Sequence, residues 1–255
     1  MPTALIVEDE PEANKLLGML LRLRGCRTES AFTGKEALHL VASAQPDIIF
    51  LDLMLPDLNG YEICKTLKSS KGTSLIPLVI ITARIAAENR IESFCIGADD
   101  YIAKPYTPYR IFQALEDAMR WRDQSLLGQI QASISFDHSD DGEILRRLGQ
   151  LRSQVFARTE LSLEAVTQIS RAIKEIWCVA DEWARRYPDD HITNLSYTLT
   201  TEQLVLAFRD AAGWLERIPV LADDSTSELS AAGFDHVTVD EADRSVTFIK
   251  GFPAT

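Results

Sequence analysis

Through the first 122 residues, short apolar runs alternate with stretches whose apolar positions recur every three or four residues. The runs fall near 3–8, 27–31, 47–52, 77–82 and 99–103. Their shortness and near-continuous hydrophobicity predict strands of a buried parallel sheet. The stretches between and after them, near 11–24, 34–44, 58–70, 86–96 and 106–121, read as helices. Five strands alternating with five helices place this part in the α/β class. Local signals agree with that assignment. Leu16, Leu17, Leu20, Leu21 and Leu23 form an apolar face on the first helix, and Gly25 stands where the helix should stop. Thr33 followed by Glu36 has the spacing of a capping box at the start of the second helix.

The pattern changes beyond residue 125. Residues 132–136 alternate like a strand, and Ser139, Asp140 and Asp141 offer caps for a helix with the apolar face Ile144, Leu145, Leu148, Leu151, Val155 and Phe156. A second helix carries Val166, Ile169, Ile173, Ile176, Ala180 and Trp183 at steps of three and four. The alternating stretches 193–199 and 204–208 predict an antiparallel hairpin, and 237–239 and 245–249 two more strands around a polar turn at 240–244. Strands, then helices, then consecutive strands predict an α+β sandwich with helices on one face of a sheet. The polar segment 123–129 is the linker candidate, giving domains of 1–124 and 125–255.

Composition narrows the function classes. At 255 residues and 46% hydrophobic content the chain can build two apolar cores. No apolar run approaches the roughly 20 residues of a membrane span, and the amino terminus has no charged region leading into a long apolar segment. A cytoplasmic protein without a membrane partner is expected. Cys26, Cys64, Cys95 and Cys178 form no C-x-x-C pair and read as buried reduced thiols. The formal charge of −12 is uneven: residues 1–122 hold 14 basic and 16 acidic side chains, the remainder 12 and 22. Because affinity for a phosphate backbone rests on cationic residues displacing counterions, DNA is not expected as a partner.

Four of the apolar runs end in polar groups: Glu8-Asp9, Asp52, Thr82 and Lys104-Pro105. Sites of open parallel sheets lie beyond the carboxyl ends of the strands, so two carboxylate-bearing ends, a hydroxyl and an ammonium describe one pocket. Together with Pro56 and Gly60, these motifs resemble the receiver domain of two-component response regulators over residues 1–122. The resemblance implies a doubly wound, flavodoxin-like fold of five parallel strands in the order 2-1-3-4-5. It also implies Asp52 as the phosphoacceptor. Like charges about 4 Å apart repel by roughly 4 kcal/mol at an effective dielectric of 20, and a divalent cation relieves this. Oxygen ligands suit Mg²⁺, with Asp9 and Asp52 as direct ligands, Glu8 through water, and the Met54 backbone carbonyl by family analogy. Asp52 then acts as a carboxylate nucleophile, Lys104 carries charge, and the Thr82 hydroxyl ligates a phosphoryl oxygen. Tyr101 stands at the family's aromatic switch, coupling Thr82 to the surface of 86–96, 99–103 and 106–121. Many receivers have an amide or acid two residues after the aspartate to assist water attack. Here Met54 stands there, and Arg84 stands two residues after Thr82, predicting slow loss of phosphate.

Residues 130–250 resemble the anti-sigma-factor-kinase branch of the histidine-kinase-type ATPase fold in element order, yet depart from its motifs. Glu175 is followed by Val179 where the family has an Mg²⁺-holding Asn. Asp210 is followed by Ala212 and Trp214 in place of glycines, and residues 223–232 contain no glycine with which to wrap a triphosphate. These departures predict a degenerate domain that binds no nucleotide, with Glu175 and Asp210 as remnants and core packing for Trp177. Trp183 and Trp214 read as fillers of the vacated pocket or as partner surface. His39, His138, His191 and His236 all lie outside convincing phosphotransfer contexts. The expected protein is a response regulator with no enzymatic activity beyond its own phosphorylation and dephosphorylation. Its expected partners are a sensor histidine kinase or phosphotransfer protein, a downstream protein, and a second copy of itself. The alternative is a receiver-controlled, ATP-dependent Ser/Thr kinase of the anti-sigma type.

Overall fold

The computed structural model describes residues 1–83, 97–125, 130–136, 141–186, 193–209, 228–240 and 242–252. The chain divides into two compact units, Met1–Leu126 and Leu127–Thr255.

The first unit runs β1 (Thr3–Val7), α1 (Pro11–Leu23), β2 (Arg27–Ala31), α2 (Gly34–Ala44), β3 (Ile48–Leu51), α3 (Gly60–Lys68), β4 (Leu78–Thr82), β5 (Asp100–Ala103) and α4 (Pro108–Ser125). The five strands are parallel in the order β2-β1-β3-β4-β5. The helix expected at 86–96 lies outside the described residues. Strand side chains alternate between faces, so β1, β3 and β4 feed two cores. Ala4, Ile6, Ile48, Phe50, Val79 and Ile81 pack with α1 and α4; Leu5, Val7, Ile49, Leu51, Leu78 and Ile80 pack with α2 and α3.

The leucine face of α1 is narrower than its sequence suggests. Leu17, Leu20 and Leu21 are buried, whereas Leu16 and Leu23 are 52% and 77% exposed. Five leucines in eight residues span more of the helix circumference than the roughly 100° stripe that the sheet can cover. Beyond the helix, Gly25 adopts φ +77°, and the Cys26 N–H donates to the Leu21 carbonyl at 3.2 Å, closing the carboxyl end. Thr33 caps α2 by accepting from the Glu36 N–H at 3.2 Å, and the Glu36 carboxylate reaches back to the Phe32 N–H at 2.8 Å. A second cap comes from afar: Asp57 accepts from the Gly34 and Lys35 N–H groups at 2.7 and 3.0 Å. These two bonds hold the Asp57 carboxyl below its ordinary range.

A buried ion pair locks α3 to the other end of the sheet. Lys68 Nζ lies 2.6 Å from Asp99 Oδ2 and donates to the Ser74 and Ile76 carbonyls at 3.0 and 2.9 Å. The same Asp99 oxygen accepts from the Leu78 N–H at 2.8 Å. The ammonium also sits 5.6 Å from the ring centre of the buried Trp121.

The second unit runs β6 (Ile130–Phe136), α5 (Asp141–Arg158), α6 (Leu163–Arg186), β7 (Thr193–Leu199), β8 (Gln203–Arg209), α7 (Glu228–Ala231), β9 (His236–Asp240) and β10 (Ser245–Gly251). Its sheet has the order β6-β7-β8-β10-β9, with antiparallel neighbours throughout. Ile134, Leu195, Leu206, Phe208, Val246 and Phe248 meet Ile144, Leu151, Val155, Ile169, Ile173 and Ile176 from the helices in one core. Phe208 and Phe248 meet edge to face, 5.9 Å between ring centres. Trp177 is half-buried against this core. Cys26 and Cys64 are buried, but Cys178 is exposed, because its position on α6 falls beside the apolar stripe rather than in it. Cys95, Trp214 and the environment of Trp183 lie outside the description. Among the described residues, no helix is long and apolar enough to cross a membrane.

Candidate functional site

The carboxyl ends of β1, β3 and β5 deliver Glu8 and Asp9, Asp52 and Lys104 to one place. The chain folds this way because backbone bonds carry the register past the strand ends. The Asp52 N–H donates to the Val7 carbonyl at 2.9 Å, the Lys104 N–H to Thr82 at 2.8 Å, and the Glu8 N–H to Ala31 at 3.1 Å. Glu8 and Asp52 are buried, while Asp9 is exposed. Carboxylate oxygens of Glu8, Asp9 and Asp52 all lie within 4.8 Å of one another. Lys104 Nζ bridges two of them, at 2.5 Å from Asp52 Oδ2 and 2.6 Å from Glu8 Oε2. The other Asp52 oxygen accepts from the Met54 N–H at 3.0 Å.

Charge and burial compete here. Burial pushes the Glu8 carboxyl up, and the neighbouring Asp52 and Asp9 charges add to this, while the bond to Lys104 opposes it; the net direction is upward. Burial works against the Lys104 ammonium, but the bonds and charges of Asp52 and Glu8 outweigh it and hold Lys104 above its ordinary value. The half-buried Tyr106 hydroxyl feels the same field: burial and then the Glu8 charge push it up.

Thr82 is fully buried at the end of β4, paired in register with Ala103, next to Lys104. Tyr101 is half-buried on β5 against the core shared with α2 and α3. Met54 is 54% exposed. Arg84 lies outside the described residues. Gly60 explains the tight packing behind the aspartate: a Cβ there would stand 2.6 Å from the Asp52 carbonyl oxygen. Sequence reading missed Asn14, which is buried, donates to the Glu8 carbonyl at 3.3 Å and accepts from the Ser30 hydroxyl at 2.7 Å. The available signal was a polar residue on the buried stripe of α1.

In the second unit, Glu175 is half-buried on α6, and Val179, one turn on, packs against the core. Asp210 and residues 211–227 lie outside the description, whereas 228–231 form α7 and Ala232 is buried in the core. His39 and His236 are exposed on α2 and β9; His138 and His191 are outside the description.

Residues 4–116 match the model of the response regulator receiver domain. The chain is 33% identical over 181 residues to the response regulator MprA of Mycolicibacterium vanbaalenii, covering 71% of this chain and 68% of that protein. It is 33% identical over 124 residues to the DNA-binding dual master transcriptional regulator RpaA of Synechocystis, covering 49% of this chain and 52% of RpaA, about half that relative's length. Among solved structures, the receiver domain of the Francisella response regulator 1452 is similar at 31% identity and a TM-score of 0.44, covering 47% of this chain and 98% of that one.

These relatives correct one expectation. RpaA is named as DNA-binding, as is the response regulator MtrA of Mycolicibacterium smegmatis, 26% identical over 201 residues, so the exclusion of DNA as a partner does not stand. The charge argument failed because it summed over 133 residues. Binding to a phosphate backbone depends on the local field of a basic patch, which an overall acidic segment can still carry. With a receiver match over 4–116 and a third of the 181 aligned residues identical to MprA over 68% of that protein, the chain belongs to the two-component response regulators.

Proposed function

We propose that Asp52 accepts a phosphoryl group from a sensor histidine kinase or phosphotransfer protein and that the second unit transmits the change. The carrying observation is the Lys104 ammonium held between Asp52 and Glu8 beside the exposed Asp9. An Asp52 oxygen attacks phosphorus, the bond from phosphorus to the donor nitrogen breaks, and the leaving imidazole keeps the electron pair. Lys104 pairs with phosphoryl oxygens and Thr82 donates its hydroxyl to one. Receiver domains bind Mg²⁺ at an acidic pocket, and the oxygen-only donor set of Glu8, Asp9 and Asp52 fits that ion. Bound there, with the Met54 carbonyl as a further ligand, Mg²⁺ supplies neutralisation of the phosphoryl charge. Movement of Thr82 toward the phosphoryl group couples to Tyr101 on the neighbouring strand.

The test is incubation of the full chain with Mg²⁺ and acetyl phosphate, followed by intact-mass analysis and peptide mapping. One added phosphoryl group on the Asp52 peptide, absent in Asp52→Asn, is expected. A label that persists in Asp52→Asn refutes the assignment.

For the second unit, the reading is a degenerate, nucleotide-free relative of the histidine-kinase-type ATPase fold. Its support is the order β6-α5-α6-β7-β8-α7-β9-β10, with the partly buried Val179 packed against the core where an Mg²⁺-holding Asn would stand. Calorimetric titration with Mg-ATP should show no binding, and micromolar affinity would overturn this reading. Beyond its own phosphorylation and dephosphorylation, the chain is not an enzyme on this reading; the relatives give no support to a Ser/Thr kinase. A protein partner is the downstream contact that the ATPase-like order favours. Duplex DNA is the contact that the names of RpaA and MtrA favour. Affinity capture and a DNA mobility shift, each with and without a beryllofluoride phosphoryl mimic, separate the two.

A further inference from the structure

Strand β9 closes one edge of the second unit's sheet, with β10 along one side and, among the described residues, nothing paired along the other. All five of its residues, His236-Val237-Thr238-Val239-Asp240, are exposed. Val237 and Val239 are 40% and 48% exposed, yet their cross-strand partners Phe248 and Val246 are fully buried. The two valines therefore extend the apolar face of the sheet past the cover of its helices. Proteins usually blunt such an edge with Lys, Pro or a bulge, because its outward N–H and C=O groups template pairing with another strand. This edge has no Lys or Pro, and its pairing with β10 runs without a break from His236 to Asp240.

The chemistry of the strand selects its occupant. Paired antiparallel with itself about Thr238, the strand sets His236 opposite Asp240, Val237 opposite Val239 and Thr238 opposite Thr238 of the second copy. Each ring thus meets a carboxylate, the apolar stripe continues across the seam, and alternation of faces is kept. One Asp240 oxygen already accepts from the Ala242 and Asp243 N–H groups, which fixes the side chain while a carboxylate retains a second oxygen for the imidazole. We propose that two copies of this chain join through β9 into a continuous ten-stranded antiparallel sheet with its two-fold axis at Thr238. An isologous contact of five residues per copy is small, so the dimer is reversible and concentration-dependent.

Sedimentation equilibrium of the full chain, from low to several hundred micromolar, tests this. The wild type should pass from monomer to dimer, and Thr238→Lys, which sets like charges against each other at the axis, should remain monomeric with an unchanged circular dichroism spectrum. The register has its own readout. Under oxidation Thr238→Cys should form a covalent dimer well above the wild-type background set by exposed Cys178. His236→Cys should not, because self-paired positions two residues from the axis lie roughly 13 Å apart. A wild type that stays monomeric, or a dimer that Thr238→Lys leaves intact, overturns the proposal. So does equal cross-linking by the two cysteine variants, which also decides the matter should Thr238→Lys fail to fold.

Discussion

Replacing Lys104 by Met removes the ammonium while keeping most of its bulk. At 2.5 and 2.6 Å, the attraction of Lys104 to Asp52 and Glu8 is about 6 kcal/mol each before desolvation, at an effective dielectric of 20. Each carboxylate pair at the 4.8 Å limit repels by about 3.5 kcal/mol on the same scale. Without the ammonium that repulsion is uncompensated. The metal-free variant should lose about 3–5 kcal/mol of stability, the usual cost of breaking a buried pair from one side. Part of this should return on adding Mg²⁺. The cation no longer shares two carboxylates with a competing charge, so Mg²⁺ affinity should rise. With 22% of the Lys104 side chain exposed, screening reduces the gain to about 1–2 kcal/mol, or roughly 5- to 30-fold. Phosphorylation by acetyl phosphate should nevertheless fall by about 10²-fold or more, since a preorganised cation at the developing charge is gone. Calorimetry measures the first effect and time-resolved intact mass the second. Weaker or unchanged Mg²⁺ binding in Lys104→Met refutes the reasoning, as does an unchanged phosphorylation rate.

Three further outcomes follow. Lys68→Met strands the buried Asp99 charge without its cation and should cost about 3–5 kcal/mol, read as faster hydrogen exchange of β4 amides; Lys68→Met with Asp99→Asn should recover part of that loss. Asp57 has its carboxyl pulled below the ordinary 3.8 by two helix N–H groups, so its stabilisation is present above that pH and lost as pH falls through the depressed value. Urea titrations at stepped acidic pH should show this slope weakened in Asp57→Ala. Met54 offers no acid or amide to orient water, so phosphorylated Asp52 should be long-lived, and Met54→Asn should shorten its lifetime severalfold in a mass-resolved decay; a wild-type lifetime of seconds contradicts this.

The site was legible where a side chain follows directly from a patterned strand. Glu8, Asp52, Thr82 and Lys104 each terminate an apolar run, and the parallel sheet that such runs build converges their ends. The partners of Asn14 and Asp57 were not legible, because they are groups brought near only by folding: the Glu8 carbonyl and Ser30 hydroxyl for one, helix N–H groups more than twenty residues earlier for the other. Lys68 misleads for a related reason. A lysine in the last turn of a helix reads as solvated, yet the loop after α3 turns back and presents the Ser74 and Ile76 carbonyls to its ammonium. The width of the α1 face also escaped, since a run of leucines does not say how much of the helix the sheet can cover. In the second unit the alternation located the strands, while the edge position of β9 emerges only from the order of the sheet.

Lys104 lies 96 positions after Glu8 and 52 after Asp52. During synthesis the two carboxylates therefore leave the ribosome long before their counter-ion. A chain that has emerged only as far as β3 carries the carboxylates without the ammonium that offsets their repulsion. That ammonium arrives last, at the end of β5, so on the proposed reading a chain truncated before residue 104 would lack the cation that steadies the transferred phosphoryl group.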